Sequence, residues 1–326
     1  MKLDRVVSVC MSKDLPYWQV TARKLLEHVD SRSYEVIVPD HEVDLFRQAT
    51  PGDIQVLPEV YYCGRRGLSQ LREQLPRELS ARAGWYLQQF LKIEAIRRDP
   101  RDATCLIWDA DTVPLRPLAF ADEQGRLLYR TGLHRPAIHE PYFQLIQGLL
   151  GIERATDESF ISQCFPVRSR WVRELCAELC QRHLTDSWWD AVVAWVADHP
   201  SACGFSEYET LGSWVLKHHR DEITLRPGAY FRPGNEVFPV DRLDQAPTNR
   251  AAERLEYVAF DDYDRTPYGG LNIGCGHTRM EETFDGKRFL NADLFPTSTT
   301  DLTLDLDRPL PFADQRFTHI VAHNVL

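Results

Sequence analysis

Residues 105–115 read CLIWDADTVPL. The apolar residues Cys105 to Trp108 run directly into Asp109 and Asp111, and Pro114 follows. A short apolar run bounded by polar residues fits a strand buried on both faces, as strands of parallel sheets are. Two carboxylates at the C-terminal end of such a strand lie where open α/β sheets gather their ligands. If the chain stays extended through them, Asp109 and Asp111 point to the same side; if it turns, one of them reaches a ligand through water. Two hard oxygen donors beside an open cleft suit Mg²⁺ or Mn²⁺, whose other positions are filled by water and substrate phosphate oxygens. The competing reading is that both aspartates cap a turn ahead of Pro114, since a bare DxD is short and common.

The surrounding pattern agrees with a buried strand. RVVSVCM (5–11), YEVIVP (34–39) and DIQVLP (53–58) read as strands, and LPYWQVTARKLLEHV (15–29) and ARAGWYLQQFLKIEAIR (81–97) as helices. Such alternation predicts an α/β fold with a mostly parallel sheet flanked by helices. Downstream, ESFISQCFPV (158–167) reads as one strand, and RSRWVRELCAELCQRH (168–183), SWWDAVVAWVADH (187–199) and SEYETLGSWVLKHH (206–219) as helices. The polar, charge-rich stretch 241–268 has little sustained period and reads as a linker, which divides the chain into domains at 1–240 and 269–326.

With 326 residues, 43% hydrophobic and 26% charged, the chain is long enough for one large domain or two ordinary ones. Its formal charge of −10 argues against a nucleic-acid partner, because phosphate-binding surfaces need a concentrated positive field. The N-terminus is too charged for a signal peptide and no segment approaches the ~18 apolar residues of a membrane span, so a cytoplasmic protein is expected, with peripheral membrane association still open. Eight cysteines lie scattered without a CxxC pair, and Cys176 and Cys180 are spaced as neighbours on a helix face. Reduced structural thiols are the favoured reading over a zinc site.

WYLQQFLK (85–92), then CLIWDADTVPLRPL (105–118), then FSEYETLGSWV (205–215), is similar to the GT-A glycosyltransferases of bacterial polysaccharide clusters, especially the DUF6492-like proteins. The resemblance spans residues 1–240. It implies a GT-A nucleotide-diphospho-sugar transferase fold and metal-dependent transfer of a sugar from a nucleotide-diphospho-sugar donor to a glycan or lipid-linked acceptor, in bacterial surface polysaccharide synthesis. It further implies Asp111 as a direct ligand of Mn²⁺ or Mg²⁺, with Asp109 on the metal, its water or the donor ribose. Lys92 would place a cation near the diphosphate, with Gln89 beside the donor, although a lysine on a helix also reads as solvated. Glu207 and Glu209 follow Ser206, a plausible N-cap, and the helix dipole by itself favours carboxylates there. Alternatively one of the two takes the proton of an acceptor hydroxyl.

A second signal begins at Gly270. LNIGCG (271–276) is a strand opening into a glycine turn, LNADLF (290–295) a second strand ending near Asp293, and DLTLDL (301–306) supplies Asp305. Together with PLPFADQRFTHIVAHNVL (309–326) the run resembles the opening of a class I S-adenosylmethionine-dependent methyltransferase. The resemblance implies that Gly274 and Gly276 line the methionine and ribose end of the cofactor, that Asp293 binds ribose hydroxyls and that Asp305 approaches the adenine. A generic nucleotide-binding βαβ unit is the competitor. About 56 residues from Gly270 to Leu326 are fewer than such a domain needs. The expectation is therefore an incomplete Rossmann-like methyltransferase, inactive in this chain, that would use S-adenosylmethionine only within a complete parent domain. Two alternatives to glycosyl transfer stay open: methylation of a sugar, and a non-catalytic carbohydrate-binding protein.

Overall fold

The computed structural model describes residues 1–133, 136–200, 204–240, 255–261, 267–283, 285–295, 297 and 299–322. In chain order the elements are β1 (Arg5–Val9), α1 (Leu15–His28), β2 (Tyr34–Val38), α2 (Val43–Ala49), β3 (Ile54–Pro58), α3 (Val60–Cys63), α4 (Leu68–Gln74), α5 (Ala83–Arg97), β4 (Thr104–Trp108) and β5 (Thr112–Pro114). There follow β6 (Leu127–Leu133), α6 (Pro136–Leu150), β7 (Glu158–Ser159), β8 (Cys164–Arg168), α7 (Ser169–Arg182), α8 (Trp188–Asp198), α9 (Glu207–His218) and β9 (Ile223–Pro227). The last are β10 (Tyr230–Phe231), α10 (Gly234–Val237), β11 (Tyr257–Ala259), β12 (Tyr268–Ile273), β13 (Arg288–Asp293), β14 (Leu302–Thr303) and β15 (His319–Ala322). They fall into two compact units.

The first unit comprises Met1–Leu15, Asp30–Ala110 and Ala119–Gly228. Its main sheet has the order β3-β2-β1-β4-β8, with β1 to β4 parallel and β8 antiparallel to β4. β1 and β4 are buried at every residue, as central strands covered on both faces must be. Val7 pairs with Ile107, and Ile107 with Phe165, so apolar side chains line up across the sheet. Phe90 and Leu91 of α5, Trp171 and Leu175 of α7, and Leu211 and Val215 of α9 complete the same core. Each large apolar side chain so buried stabilises the fold by about 1.5–3 kcal/mol.

α5 is buried on nearly all sides, which its sequence allows because apolar residues dominate every face. Gln89, Lys92 and Glu94 are buried with them, so each needs a polar partner inside the protein.

The stretch 158–167, expected as one strand, is two. Gln163 sits at φ 58°, in the left-handed region, and breaks the run, so β7 joins the β7-β6-β9 sheet while β8 joins the main one. α9 passes close enough to that bend that a Cβ on Gly212 would fall inside the Phe160 ring. Gly212→Ala should therefore cost about 1–3 kcal/mol by overpacking, read as a lower urea midpoint at unchanged slope.

The second unit comprises Pro16–Val29, Asp111–Leu118 and Ala229–Leu326. This division differs from domains cut at 240 and 269. β5 pairs antiparallel with β11, Val113 opposite Val258, and Val20 of α1 shares the unit's core with Val258 and Leu290. Early segments thus belong to this unit because their apolar residues are buried there. Tyr257–Ala259, inside the stretch read as linker, is accordingly a buried strand; residues 241–254 and 262–266 lie outside the described residues. The remaining sheet is parallel throughout, in the order β14-β13-β12-β15. Among the described residues no helix is long and apolar enough to cross a membrane.

Candidate functional site

β4 ends at Trp108, and the chain turns at Ala110 and Asp111 before β5 begins. The extended geometry that would have put Asp109 and Asp111 on one face is therefore not present. Asp109 belongs to the first unit, anchored by its backbone N–H on the carbonyl of Gln163 at 2.9 Å. Asp111 opens the second unit's segment, where its carbonyl accepts the N–H of Phe260 at 2.8 Å.

Around Asp109 the first unit assembles a charged group from three distant stretches. Lys92 of α5 donates from Nζ to Asp109 Oδ1 and, at 2.7 Å, to Glu207 Oε1 at the start of α9. The Tyr208 hydroxyl donates to the same Asp109 oxygen at 2.8 Å, and Lys92 Nζ lies 5.1 Å from the Tyr208 ring centre. The Lys92 and Glu207 side chains are 3% and 5% exposed, whereas Asp109 is 22% exposed and is the member that meets solvent. Burial works against the Lys92 ammonium, but Asp109 and Glu207 more than offset it and hold its pKa above the ordinary lysine value. Burial also raises the Glu207 carboxyl, against the pull of Lys92 and with the push of Asp109. In formal charge one ammonium faces two carboxylates, a surplus of one negative charge, and Asp109 is the exposed member of the group.

Gln89 is buried one turn before Lys92. Its Oε1 accepts the Glu207 backbone N–H at 2.9 Å, and its Nε2 donates to the Trp85 carbonyl at 3.1 Å. It satisfies one of the orphan donors of the α9 N-terminus, so the structure gives it the task of tying α9 to α5.

Glu207 and Glu209 have separate surroundings. Two helical residues apart, they point to nearly opposite faces. Glu209 is fully buried, where its carboxylate accepts the Ser159 hydroxyl and, at 3.3 Å, the Phe160 N–H. Ser206 caps the helix as its sequence suggests, accepting the Glu209 N–H at 3.3 Å. Burial pushes the Glu209 carboxyl up to about 7, against those hydrogen bonds. Because its folded pKa lies above its unfolded one, its contribution is greatest below about pH 4.5 and is lost as pH rises through 7, an effect of up to about 3 kcal/mol. Urea midpoints of parent and Glu209→Gln between pH 5 and pH 8 check this: the variant should show the shallower fall.

In the second unit β12 runs into Gly274 and Gly276, at φ 67° and 51°, a region that favours glycine. The turn is held by the chain's own groups. Asp293 accepts the Gly276 N–H at 2.8 Å and the Phe295 N–H at 2.9 Å, and the Thr297 and Thr299 hydroxyls donate to the Gly276 carbonyl at 2.6 and 2.7 Å. Asp305 lies 3.4 Å from Arg308 and accepts the Asp307 N–H.

Among the described residues no three His, Cys, Asp or Glu side chains converge to hold a metal ion. The described cysteines are free thiols, and Cys203 lies outside the described residues. Tyr208 is the site residue that sequence reasoning missed. Its signal was an aromatic hydroxyl inside the SEYET helix start, beside the carboxylates already singled out.

Residues 2–223 match the family described as "Family of unknown function (DUF6492)", and the chain belongs to that family. No curated protein matches the sequence. Among solved structures it is similar to the galactosyltransferase LgtC in complex with donor and acceptor sugar analogs, at 11% identity and a TM-score of 0.37, over 71% of this chain and 76% of that one. It is also similar to the apo structure of the bifunctional glycosyltransferase WbbM, at 13% identity and a TM-score of 0.42, over 81% of this chain and 47% of that one. Likenesses this distant carry no conclusion about this chain.

Proposed function

We propose that this DUF6492 member is a glycosyltransferase that moves a sugar from a nucleotide-diphospho-sugar donor to a glycan or lipid-linked acceptor. The observation that carries the reading is the buried Lys92 ammonium held between Asp109 and Glu207 just past the C-terminal end of a parallel strand. Buried ion networks are costly to assemble and perturbed groups cluster at working sites.

In this reading Lys92 is a positioning residue. Its charge is already shared by two carboxylates, so it does not clamp a diphosphate; with Tyr208 it fixes Asp109 in one orientation. Asp109 Oδ1 is occupied by these two donors, and among the described residues nothing hydrogen-bonds to Oδ2. A partly exposed, hard oxygen donor carrying surplus negative charge fits Mg²⁺ or Mn²⁺, which needs only one or two protein carboxylates when water and phosphate oxygens complete its shell. Asp109 would hold the ion, and the case for Asp111 rests on the DxD spacing in sequence. Such an ion, when bound, neutralises charge on a diphosphate leaving group. Glu207, the carboxylate in contact with Lys92, is the acidic residue of SEYET on which turnover depends; Glu209 serves the fold.

A thermal-shift screen of nucleotide diphosphates and nucleotide-sugars, with and without Mn²⁺, tests the reading. A ligand at 100 times its Kd stabilises by about 2.7 kcal/mol, so the melting temperature should rise when nucleotide and metal are present together. The proposal is sunk if no nucleotide-sugar shifts the melt under any condition and none is hydrolysed or transferred.

For the second unit we propose a nucleotide-type cofactor turn of the S-adenosylmethionine-binding kind, on the grounds of the all-parallel β14-β13-β12-β15 order and the positive-φ glycines after β12. Asp293 and Asp305 are engaged within the chain, so cofactor binding there would need them released. Calorimetry with S-adenosylmethionine should accordingly show weak binding, and micromolar affinity would show that both carboxylates are free to turn to a ligand.

A further inference from the structure

Away from the Lys92 group, the first unit contains a cavity of about 550 Å³ with an unusual wall. Five arginines line it, Arg65, Arg66, Arg97, Arg98 and Arg173, against two acids, Glu94 and Asp186. The surplus is positive in a chain whose formal charge is −10. We propose that this cavity binds a small organic phosphate, an anion site separate from the site at Asp109.

The wall is built so that positive charge remains for a ligand. Glu94, a buried residue of the wall, is spent internally: it accepts Arg97 through Nε and Nη2 at 2.7 Å each, Arg98 Nε at 2.8 Å and Trp188 Nε1 at 3.1 Å. Arg98 uses its other nitrogens on the carbonyls of Tyr61 and Tyr62. Arg66 is paired with Asp190 at 3.1 Å. Arg173, by contrast, reaches only neutral partners through Nη1, the carbonyls of Asp99 and Arg101 and the Ser169 hydroxyl. Among the described residues its charge meets no carboxylate, and nothing accepts from its Nε and Nη2. Arg65 is exposed and has no acidic partner among the described residues. Planar guanidinium groups with free donors are suited to phosphate oxygens, which they bind through paired hydrogen bonds.

The rest of the wall suits an organic group attached to that phosphate. Tyr62, Trp188 and Trp189 give it aromatic surface, and its volume lies within the ~300–1,000 Å³ typical of small-molecule sites. The three thiols that line it add no negative charge: burial raises Cys63 to about 11 and raises Cys176 and Cys180 as well.

Topology keeps the two sites apart. Arg173 grips the main chain at Asp99 and Arg101, ahead of β4, whereas Asp109 follows β4, a strand length of roughly 17 Å away at ~3.3 Å per residue. On α5, Glu94 comes two residues after Lys92 and so faces nearly the opposite side of the helix.

The test is isothermal titration calorimetry on the full chain in EDTA at low ionic strength, which removes any metal-dependent binding at Asp109. The probes are pyrophosphate, a nucleoside diphosphate, a hexose 1-phosphate and, as a control anion, sulfate. The expected result is saturable 1:1 binding of at least one phosphate ester, tighter than sulfate and weakened by 0.3 M salt. Arg65→Gln, at an exposed position, and Arg173→Gln should each raise Kd at least ~10-fold, while Asp109→Asn should leave it unchanged. Comparing the nucleoside diphosphate with the hexose phosphate shows which organic group the aromatic wall accepts. Failure of every phosphate to bind, sulfate binding equally well, or unchanged affinity in a folded Arg65→Gln variant would each overturn the proposal. None of these outcomes bears on glycosyl transfer, which is read at the Asp109 site with metal present.

Discussion

Lys92→Met should lower the stability of the protein by about 3–5 kcal/mol, the cost of removing one partner from a buried ionic group. Two carboxylates, Asp109 and Glu207, lose the ammonium that both contact, and Glu207 has almost no access to water in exchange. Methionine matches the lysine stem in length and apolar character, so the change isolates the charge. Adding Glu207→Gln to Lys92→Met should recover a sizeable part of the loss, since the least hydrated of the stranded charges is then gone, and the two substitutions should be strongly non-additive. Urea titrations of the parent, both single variants and the double variant measure this. A loss under about 1 kcal/mol for Lys92→Met would mean that Lys92 is not the centre of the group.

Asp109→Asn should leave the fold nearly intact and lower sugar transfer at least ~10²-fold, the range typical of losing one preorganised charged group. The amide oxygen still accepts from Lys92 and Tyr208, and Lys92 keeps Glu207, so the packing is preserved while the surplus negative charge at the exposed end disappears. Asp111→Asn should act in the same direction, and Glu209→Gln should have little effect on turnover. Donor hydrolysis or transfer assays in Mn²⁺, run beside melting curves to confirm folding, distinguish these outcomes. An Asp109→Asn protein that binds Mn²⁺ and nucleotide as the parent does would remove Asp109 from the site.

The α/β class with a mostly parallel sheet could be read from the sequence because the patterns that mark strands and helices are local. Short apolar runs and helical apolar patterns marked β1, α1, β2, β3, α5, β4, α7, α8 and α9, and the apolar run before Asp109 pointed to a carboxylate at the end of a buried strand. Lys92 and Glu207 could be named from motif order, and Ser206 from its position before a helix. What each residue does was decided by tertiary structure. Lys92 and Glu207 lie 115 residues apart, and only the packing of α9 on α5 puts ammonium and carboxylate within 2.7 Å. That packing turns Gln89 into a tether, and the other side of α9 buries Glu209 against Ser159 and Phe160, distinctions that spacing along SEYET cannot express. The turn at Ala110 and Asp111, the assignment of 16–29 and 111–118 to the second unit, and the convergence of arginines from the loop after α3, from α5 and from α7 on one cavity are also tertiary outcomes. The physical reason is common to all of them. Periodicity records which face of an element is apolar, whereas the partner of a buried charge is fixed by which elements meet, and that follows from burying the whole apolar surface at once.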